Sequence, residues 1–181
     1  MQKKKYIPYQ EHLTNSFILY RSLFTGGSLS RWSKQYHPKS NKEKMAQDIP
    51  LTDADRWDWL IELRETAVQA LTCSDTPPAG VVVTCSALKR KYRDVIRVAG
   101  YDHPAIKVHF IYLRANEETL LARVRERKGH FMKWSMVHSQ FEMLEEPKSE
   151  WDAVTVDGTA GLPEVRRRVD AAIQQLLDEY K

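Results

Sequence analysis

An unbroken apolar run opens the segment Val81-Val82-Val83-Thr84-Cys85-Ser86-Ala87-Leu88-Lys89-Arg90-Lys91-Tyr92-Arg93-Asp94. Such a run is typical of a strand that is covered on both faces. The basic residues behind it predict a helix from about Leu88 to Val98, which Ser86 is placed to cap. A second buried strand is predicted from Ile106 to Leu113. Strands that alternate with helices predict an α/β fold with a parallel sheet flanked by helices.

Capping residues and periodicity extend this pattern in both directions. Thr52, with Asp55 three residues later, predicts a capping box, and apolar residues at helical spacing follow it. Asn116 is placed to cap another helix. We also predict helices at residues 40–47, 136–144 and from about 165 onward, and a short strand at 154–156. Upstream, Phe17 to Phe24 predicts one short strand.

Length and composition narrow the class of protein. A chain of 181 residues with 42% hydrophobic and 29% charged residues is expected to form one water-soluble domain. No apolar run approaches the roughly 20 residues that span a bilayer, so we expect no membrane partner. The two cysteines, Cys73 and Cys85, have no metal-binding spacing, which favours a reducing, cytoplasmic location.

The positive charge is concentrated at the amino-terminal end. Residues 1–34 contain six Lys or Arg against one acidic residue, and residues 35–181 contain twenty-two against twenty-three. We therefore predict a divergent basic segment at 1–34 and a main domain at 35–181. The basic segment is typical of a solvated leader. A nucleic-acid arm is the alternative, but no recognisable binding module supports it.

Two pairs of basic residues have helical spacing. Lys89 and Arg93 are four residues apart near the end of a predicted strand, where α/β folds bind ligands. Arg123 and Arg127 have the same spacing before Gly129-His130, as in a lid that closes over phosphates. Each pair is also compatible with a solvated basic helix, or with basic residues that complement a helix dipole.

Four blocks in order resemble the gluconokinases, over residues 35–181. They are His37-Pro38-Lys39-Ser40-Asn41 with Ile49-Pro50-Leu51-Thr52-Asp53-Ala54-Asp55-Arg56, then Cys85-Ser86-Ala87-Leu88-Lys89 through Asp94, then Arg127-Lys128-Gly129-His130-Phe131-Met132, then Gln140-Phe141-Glu142-Met143-Leu144-Glu145-Glu146-Pro147. The resemblance implies a P-loop fold like that of nucleoside monophosphate kinases. It also implies phosphorylation of D-gluconate to 6-phosphogluconate with ATP and Mg²⁺.

The resemblance also implies roles for particular residues. Substrate binding would fall to His37, Arg56, Ser86, Lys89 and Arg93. The lid that closes on the nucleotide would contain Arg123, Arg127 and His130, and Asp157 would lie near the adenine. No residue is assigned as catalytic or as a metal ligand, and a homodimer is a family expectation.

The phosphate loop of the family is missing from this sequence. A P-loop reads G-x-x-x-x-G-K-[ST], because its backbone N–H groups and its Lys hold the phosphates. The nearest stretch is Thr25-Gly26-Gly27-Ser28, without a Lys. Moreover, Lys34 and Trp32 occupy positions that are acidic in the family. We therefore predict impaired turnover and an altered amino-terminal end, arising from the start site, splicing or the gene model.

Two other functions remain open from the sequence. Another small P-loop kinase, such as one acting on shikimate, would share the general pattern, although the block at 85–89 and the Gly129-His130-Phe131 stretch favour gluconate. A non-catalytic protein that binds a sugar acid, or that pairs with an intact kinase, is the alternative from a different class.

Overall fold

The computed structural model describes residues 15–21, 29–33, 37–73, 75, 77–126 and 134–179. Eleven helices and strands are assigned in this part of the chain. In order they are β1 (Asn15–Arg21), β2 (Leu29–Ser33), α1 (Lys39–Ala46), α2 (Asp53–Thr72), β3 (Gly80–Cys85), α3 (Arg90–Asp102), β4 (Ile106–Arg114), α4 (Glu117–Glu126), α5 (Trp134–Glu142), β5 (Ala153–Asp157) and α6 (Leu162–Asp178).

The five strands form one sheet in the order β2-β3-β1-β4-β5. The β2–β3 and β4–β5 pairs are parallel, and the central β1 runs antiparallel to both of its neighbours. Helices pack on both faces of the sheet. The predicted α/β class is therefore confirmed, with an atypical amino-terminal strand.

The direction of β1 decides where the chain enters and leaves the sheet. Asn15 pairs with Cys85 at the carboxyl end of β3, and Arg21 pairs with Ile106 at the start of β4. Leu29, the first residue of β2, pairs with Gly80 at the start of β3. The residues on either side of segment 22–28 thus lie at the edge opposite the carboxyl end of β3. The Thr25–Ser28 stretch itself is outside the described residues.

Alternating residues of the central strands separate two hydrophobic clusters. Val81, Val83 and Cys85 pack with apolar residues of α2 and α3, whereas Val82 packs with Ile111, Val156 and the apolar face of α6. Both faces of β3 are therefore buried, as its unbroken apolar sequence predicts. Burial also raises the pKa of the Cys85 thiol to about 12, so this cysteine is a packing residue.

The helix starts confirm two capping predictions and correct a third. Thr52 and Asp55 form a capping box at the start of α2, and the Asn116 side chain accepts a hydrogen bond from the Thr119 N–H at 2.9 Å. Ser86 does not cap α3, because that helix begins only at Arg90, with Lys89 as its N-cap and no side-chain cap from that residue. Within the described helices, none is both long and apolar enough to cross a membrane.

Candidate functional site

Three cationic side chains surround the ring of Tyr92 beyond the carboxyl end of β3. The Arg56 guanidinium carbon lies 5.7 Å from the ring centroid, and the Lys89 and Lys91 Nζ atoms lie 5.8 and 5.9 Å from it. Arg56 comes from the first turns of α2, and the other residues come from the start of α3. The two helix starts therefore bring positive charge from separate parts of the sequence to one place.

Asp53 is the acid within this group. Its Oδ1 accepts a hydrogen bond from Lys89 Nζ at 3.2 Å, and its carboxylate also accepts from Lys91 Nζ and from the Tyr92 hydroxyl. These bonds, led by that from Lys91, lower the pKa of Asp53 well below its usual range. Burial, with the bond to Asp53, raises the pKa of Tyr92. Asp53 thus bonds two of the three cations, Lys89 and Lys91, while Asp55, the other acid that acts on Arg56, is paired with Lys44, so the group keeps a surplus of positive charge.

Arg56 is the most deeply buried of the three cations. The residue is only 4% exposed, and its Nε has no hydrogen-bond partner among the described residues. Burial lowers the pKa of its guanidinium, although Tyr92, Asp53 and Asp55 act in the opposite direction. A buried cation with an unused donor is costly unless an anion completes it. This position therefore suits an anionic ligand.

His37 and α1 are held against the same helix, α2. The His37 ring stacks on Trp59, with 3.9 Å between centroids. Asn41 donates to the Asp55 backbone carbonyl at 2.7 Å, and Lys44 Nζ donates to the Asp55 carboxylate at 2.6 Å. The hydrogen bond from Lys44 lowers the pKa of Asp55 to about 2. These contacts fix the His37 side of the group relative to Arg56.

Arg93 points away from Lys89, although the two residues are four apart. All five of its N–H donors are used inside the protein, by Ala87 O, Leu88 O, Glu145 O and both carboxylate oxygens of Glu150. The guanidinium is 1% exposed. The predicted anion-binding face shared by Lys89 and Arg93 is therefore not formed in this structure. Ser86 lies in the connection between β3 and α3 and is partly buried.

Two residues predicted for the lid and nucleotide side, Arg123 and Asp157, lie at the loop after β5. Arg123 Nη2 donates to the carbonyls of Gly158 and Ala160, at 2.6 and 2.7 Å, and so anchors the loop after β5. Asp157 is bound by Arg168 and by Thr159, and the bond from Thr159 leads in lowering its pKa to about 2. Arg127 and His130 lie outside the described residues.

The structure brings together two of the residues that the sequence analysis predicts for substrate binding, Arg56 and Lys89, at the Tyr92 ring. The sequence analysis did not single out Asp53, Tyr92 or Lys91. Asp53 is 36 residues from Lys89 in sequence and meets it only through the fold. A single acidic residue at a helix start is so common that it gives no signal by itself. Tyr92 lies in the same basic stretch, but its role as the centre of the group depends on burial.

Comparison with known proteins places the chain among sugar-acid kinases. It is 42% identical over 146 residues to the probable gluconokinase of Schizosaccharomyces pombe, covering 80% of this chain and 74% of that protein. It is 41% identical over 143 residues to the thermosensitive gluconokinase of Escherichia coli, covering 77% and 72%. No family model matches the sequence.

A solved structure gives the same relationship. The crystal structure of a gluconokinase from Sinorhizobium meliloti matches with a TM-score of 0.69 and 37% identity, over 83% of this chain and 80% of that one. Identity of this order over most of both chains, together with a shared fold, leaves one conclusion. The chain belongs to the gluconokinase family.

Proposed function

We propose that this chain binds D-gluconate and acts in its ATP-dependent phosphorylation to 6-phosphogluconate, with low turnover in this form. The observation that carries the proposal is the surplus of positive charge around Tyr92, beyond the carboxyl end of β3. Gluconate is an anion at neutral pH, and ligands of α/β folds bind at this edge of the sheet. The relatives are gluconokinases in fungi and bacteria alike.

Arg56 and Lys89 would neutralise the gluconate carboxylate. The Arg56 guanidinium, whose buried Nε has no partner among the described residues, would donate a charged hydrogen bond to a carboxylate oxygen. Ser86 and His37 would contribute hydrogen bonds to the hydroxyl groups, which orient the chain of the sugar acid. Asp53 would hold Lys89 in place, since it accepts a hydrogen bond from that ammonium group. Arg93 would support the site through the backbone.

The nucleotide side would be built by Arg123, Arg127 and His130, as the family resemblance implies. Kinases of this type use ATP and generally Mg²⁺. The described residues of this chain lack the groups that would hold Mg²⁺ and the phosphates of ATP. The sequence has no P-loop Lys with a following Ser or Thr. Within the described ranges, no group of three or more His, Cys, Asp and Glu residues is placed to hold a metal ion.

Low turnover also follows from the direction of β1. In the P-loop kinases a central strand leads into the phosphate loop at the edge where substrates meet. Here the carboxyl end of β1, at Arg21, lies at the opposite edge. The described end of β1 is therefore far from the place where a P-loop kinase begins its phosphate loop. Each missing charge-stabilising group costs about 10²- to 10³-fold in rate, so several together leave almost no turnover.

The missing phosphate loop, beside the retained cations around Tyr92, favours a second function. A chain that keeps the sugar-acid site but lacks the phosphate loop would bind gluconate without phosphorylating it. It would also be able to pair with an intact copy of the kinase. We further propose that the chain works in the reducing cytoplasm, where its metabolic substrate is dissolved, and that it assembles as a homodimer.

Calorimetric titration separates these functions. Gluconate and ATP are titrated separately into the intact chain, and formation of 6-phosphogluconate is followed with both present. Binding of both ligands with slow product formation supports an impaired kinase. Gluconate heat without ATP heat and without product supports the binding protein. Absence of gluconate heat would overturn both functions.

A further inference from the structure

We propose that Glu145 is a positioning residue that holds the loop at residues 86–89, and through it Lys89, in the arrangement that binds the sugar acid. The proposal rests on the function proposed above. Glu145 follows α5 and is distant in sequence from the residues that it holds. Its hydrogen bonds go to the start of α3 and to the loop before it, so it would act on Lys89 through the backbone.

Glu145 replaces the missing cap of α3. Its Oε2 accepts a hydrogen bond from the Arg90 backbone N–H at 2.7 Å, across 55 residues of sequence. The N-cap of that helix, Lys89, supplies no side-chain bond of its own. A carboxylate at a helix start satisfies an otherwise unpaired N–H group and interacts favourably with the helix dipole. The start of α3 is thus fixed by a residue from another element.

The backbone of Glu145 holds the same loop at a second place. Its N–H donates to the Leu88 carbonyl at 2.9 Å. Its own carbonyl accepts from Arg93 Nη2 at 3.0 Å, and Arg93 Nη1 in turn donates to Ala87 O and Leu88 O, at 2.8 and 3.2 Å. Both side chains at the centre of the loop, Ala87 and Leu88, are buried. Glu145 and Arg93 therefore form a clamp around residues 86–89.

Buried ion pairs hold Arg93 in this position. Both carboxylate oxygens of Glu150 accept from Arg93, at 2.8 and 2.5 Å, and Glu150 also binds Arg97. Arg97 is held in turn by Asp152, which is 1% exposed. Five hydrogen bonds leave Arg93 no freedom to turn toward a ligand. The charge of Arg93 thus stabilises the clamp through Glu150, and the cation that faces the proposed site is Lys89.

The clamp determines where Lys89 can point. Lys89 ends the loop and is the N-cap of α3, and its Nζ donates to Asp53 at 3.2 Å in this arrangement. Without the Glu145 carboxylate, that turn would fray, and Lys89 would spend less time beside Asp53. We expect gluconate affinity to fall even though the protein remains folded.

The test compares Glu145→Ala, Glu145→Gln and the control Glu118→Ala, which removes an exposed acid from α4. Loss of a helix cap of this kind changes the equilibrium constant for forming the helix start about fivefold. Gluconate should therefore bind Glu145→Ala about fivefold more weakly, as measured by calorimetry. Glu145→Gln keeps an acceptor without the charge and should lose about twofold. The control should bind like the unmodified chain. Urea unfolding of each variant confirms that the measured sample is folded.

Hydrogen exchange provides a readout that does not need the ligand. The amides of Arg90, Tyr92 and Arg93 should exchange about fivefold faster in Glu145→Ala, while those in the middle of α2 should not change. Equal gluconate affinity and equal exchange in Glu145→Ala and the unmodified chain would overturn the proposal. If the unmodified chain binds no gluconate, the function proposed above fails, and the exchange measurement alone decides whether Glu145 positions the loop.

Discussion

The guanidinium of Arg56 lies 5.7 Å from the centre of the Tyr92 ring, in a position where its own Nε has no hydrogen-bond partner among the described residues. The aromatic ring gives this cation a partial electrostatic partner but not a hydrogen bond. A folded protein keeps an incompletely paired buried cation at a cost in stability, and binding of an anion would remove that cost. This relationship links the fold of α2 and α3 to the proposed chemistry.

Replacing Arg56 with Met should separate binding from stability. Methionine is about as long and is apolar, so removing the buried charge should leave the unfolding free energy unchanged or higher. Loss of a charged hydrogen bond should weaken gluconate binding about 10- to 100-fold, measured by calorimetry. The matched control is Arg167→Met, which removes a largely exposed arginine of α6. Equal weakening in both variants would argue against a specific role for Arg56.

Replacing Arg123 with Ala should loosen the loop after β5. The variant loses two hydrogen bonds from a charged group to the carbonyls of Gly158 and Ala160. We expect the unfolding free energy to fall by about 2 kcal/mol in urea titrations. Arg125→Ala, at an exposed position of the same helix, serves as the control. Gluconate affinity should not change in either variant, and a large loss in Arg123→Ala would place this residue at the sugar-acid site instead.

The local sequence predicts elements whose cause is local. The capping box at Thr52 and Asp55, the buried strand before Ser86 and the cap at Asn116 depend on neighbouring residues, and the structure confirms all three. The start of α3 depends on Glu145, which is 55 residues from Arg90. No local pattern could reveal that bond, and the prediction that Ser86 caps the helix was wrong for this reason.

The same limit applies to the sheet and to the site. A short strand near Phe17 was predictable from its apolar residues, but its antiparallel direction is set by pairing with strands that lie 60 and more residues later in the chain. Helical spacing put Lys89 and Arg93 on one face, whereas Glu150 draws Arg93 inward. The division of the chain at residues 34 and 35 and the roles of Arg127 and His130 stay predictions.

Glu150 should make stability depend on acidic pH. Burial opposes its ionisation, but hydrogen bonds from Arg93 and Arg97 outweigh this and lower its pKa from 4.5 to about 2. A carboxyl group with a depressed pKa in the folded state stabilises the protein above its unfolded pKa. That stability is lost as pH falls through the folded pKa, here between about pH 4.5 and pH 2.

Thermal or urea unfolding of Glu150→Gln, compared with the unmodified chain, tests this pH dependence. The variant should be less stable by about 3 kcal/mol at pH 7. The difference should shrink as pH falls from about 4.5 to 2, because Glu150 in the unmodified chain then becomes neutral too. Glu118→Gln provides a control with an exposed acid. A difference that stays constant over this range would refute the proposed charge state of Glu150.

The most direct measurement is the rate of 6-phosphogluconate formation by a repaired chain. Residues before His37 are replaced by a strand that runs parallel to β3 and ends in G-x-x-x-x-G-K-[ST], while residues 37–181 are unchanged. If those residues hold a complete acceptor site, the repaired chain should phosphorylate D-gluconate with ATP at a rate far above that of the unmodified chain. A repaired chain that folds and binds ATP but does not phosphorylate gluconate would contradict the account.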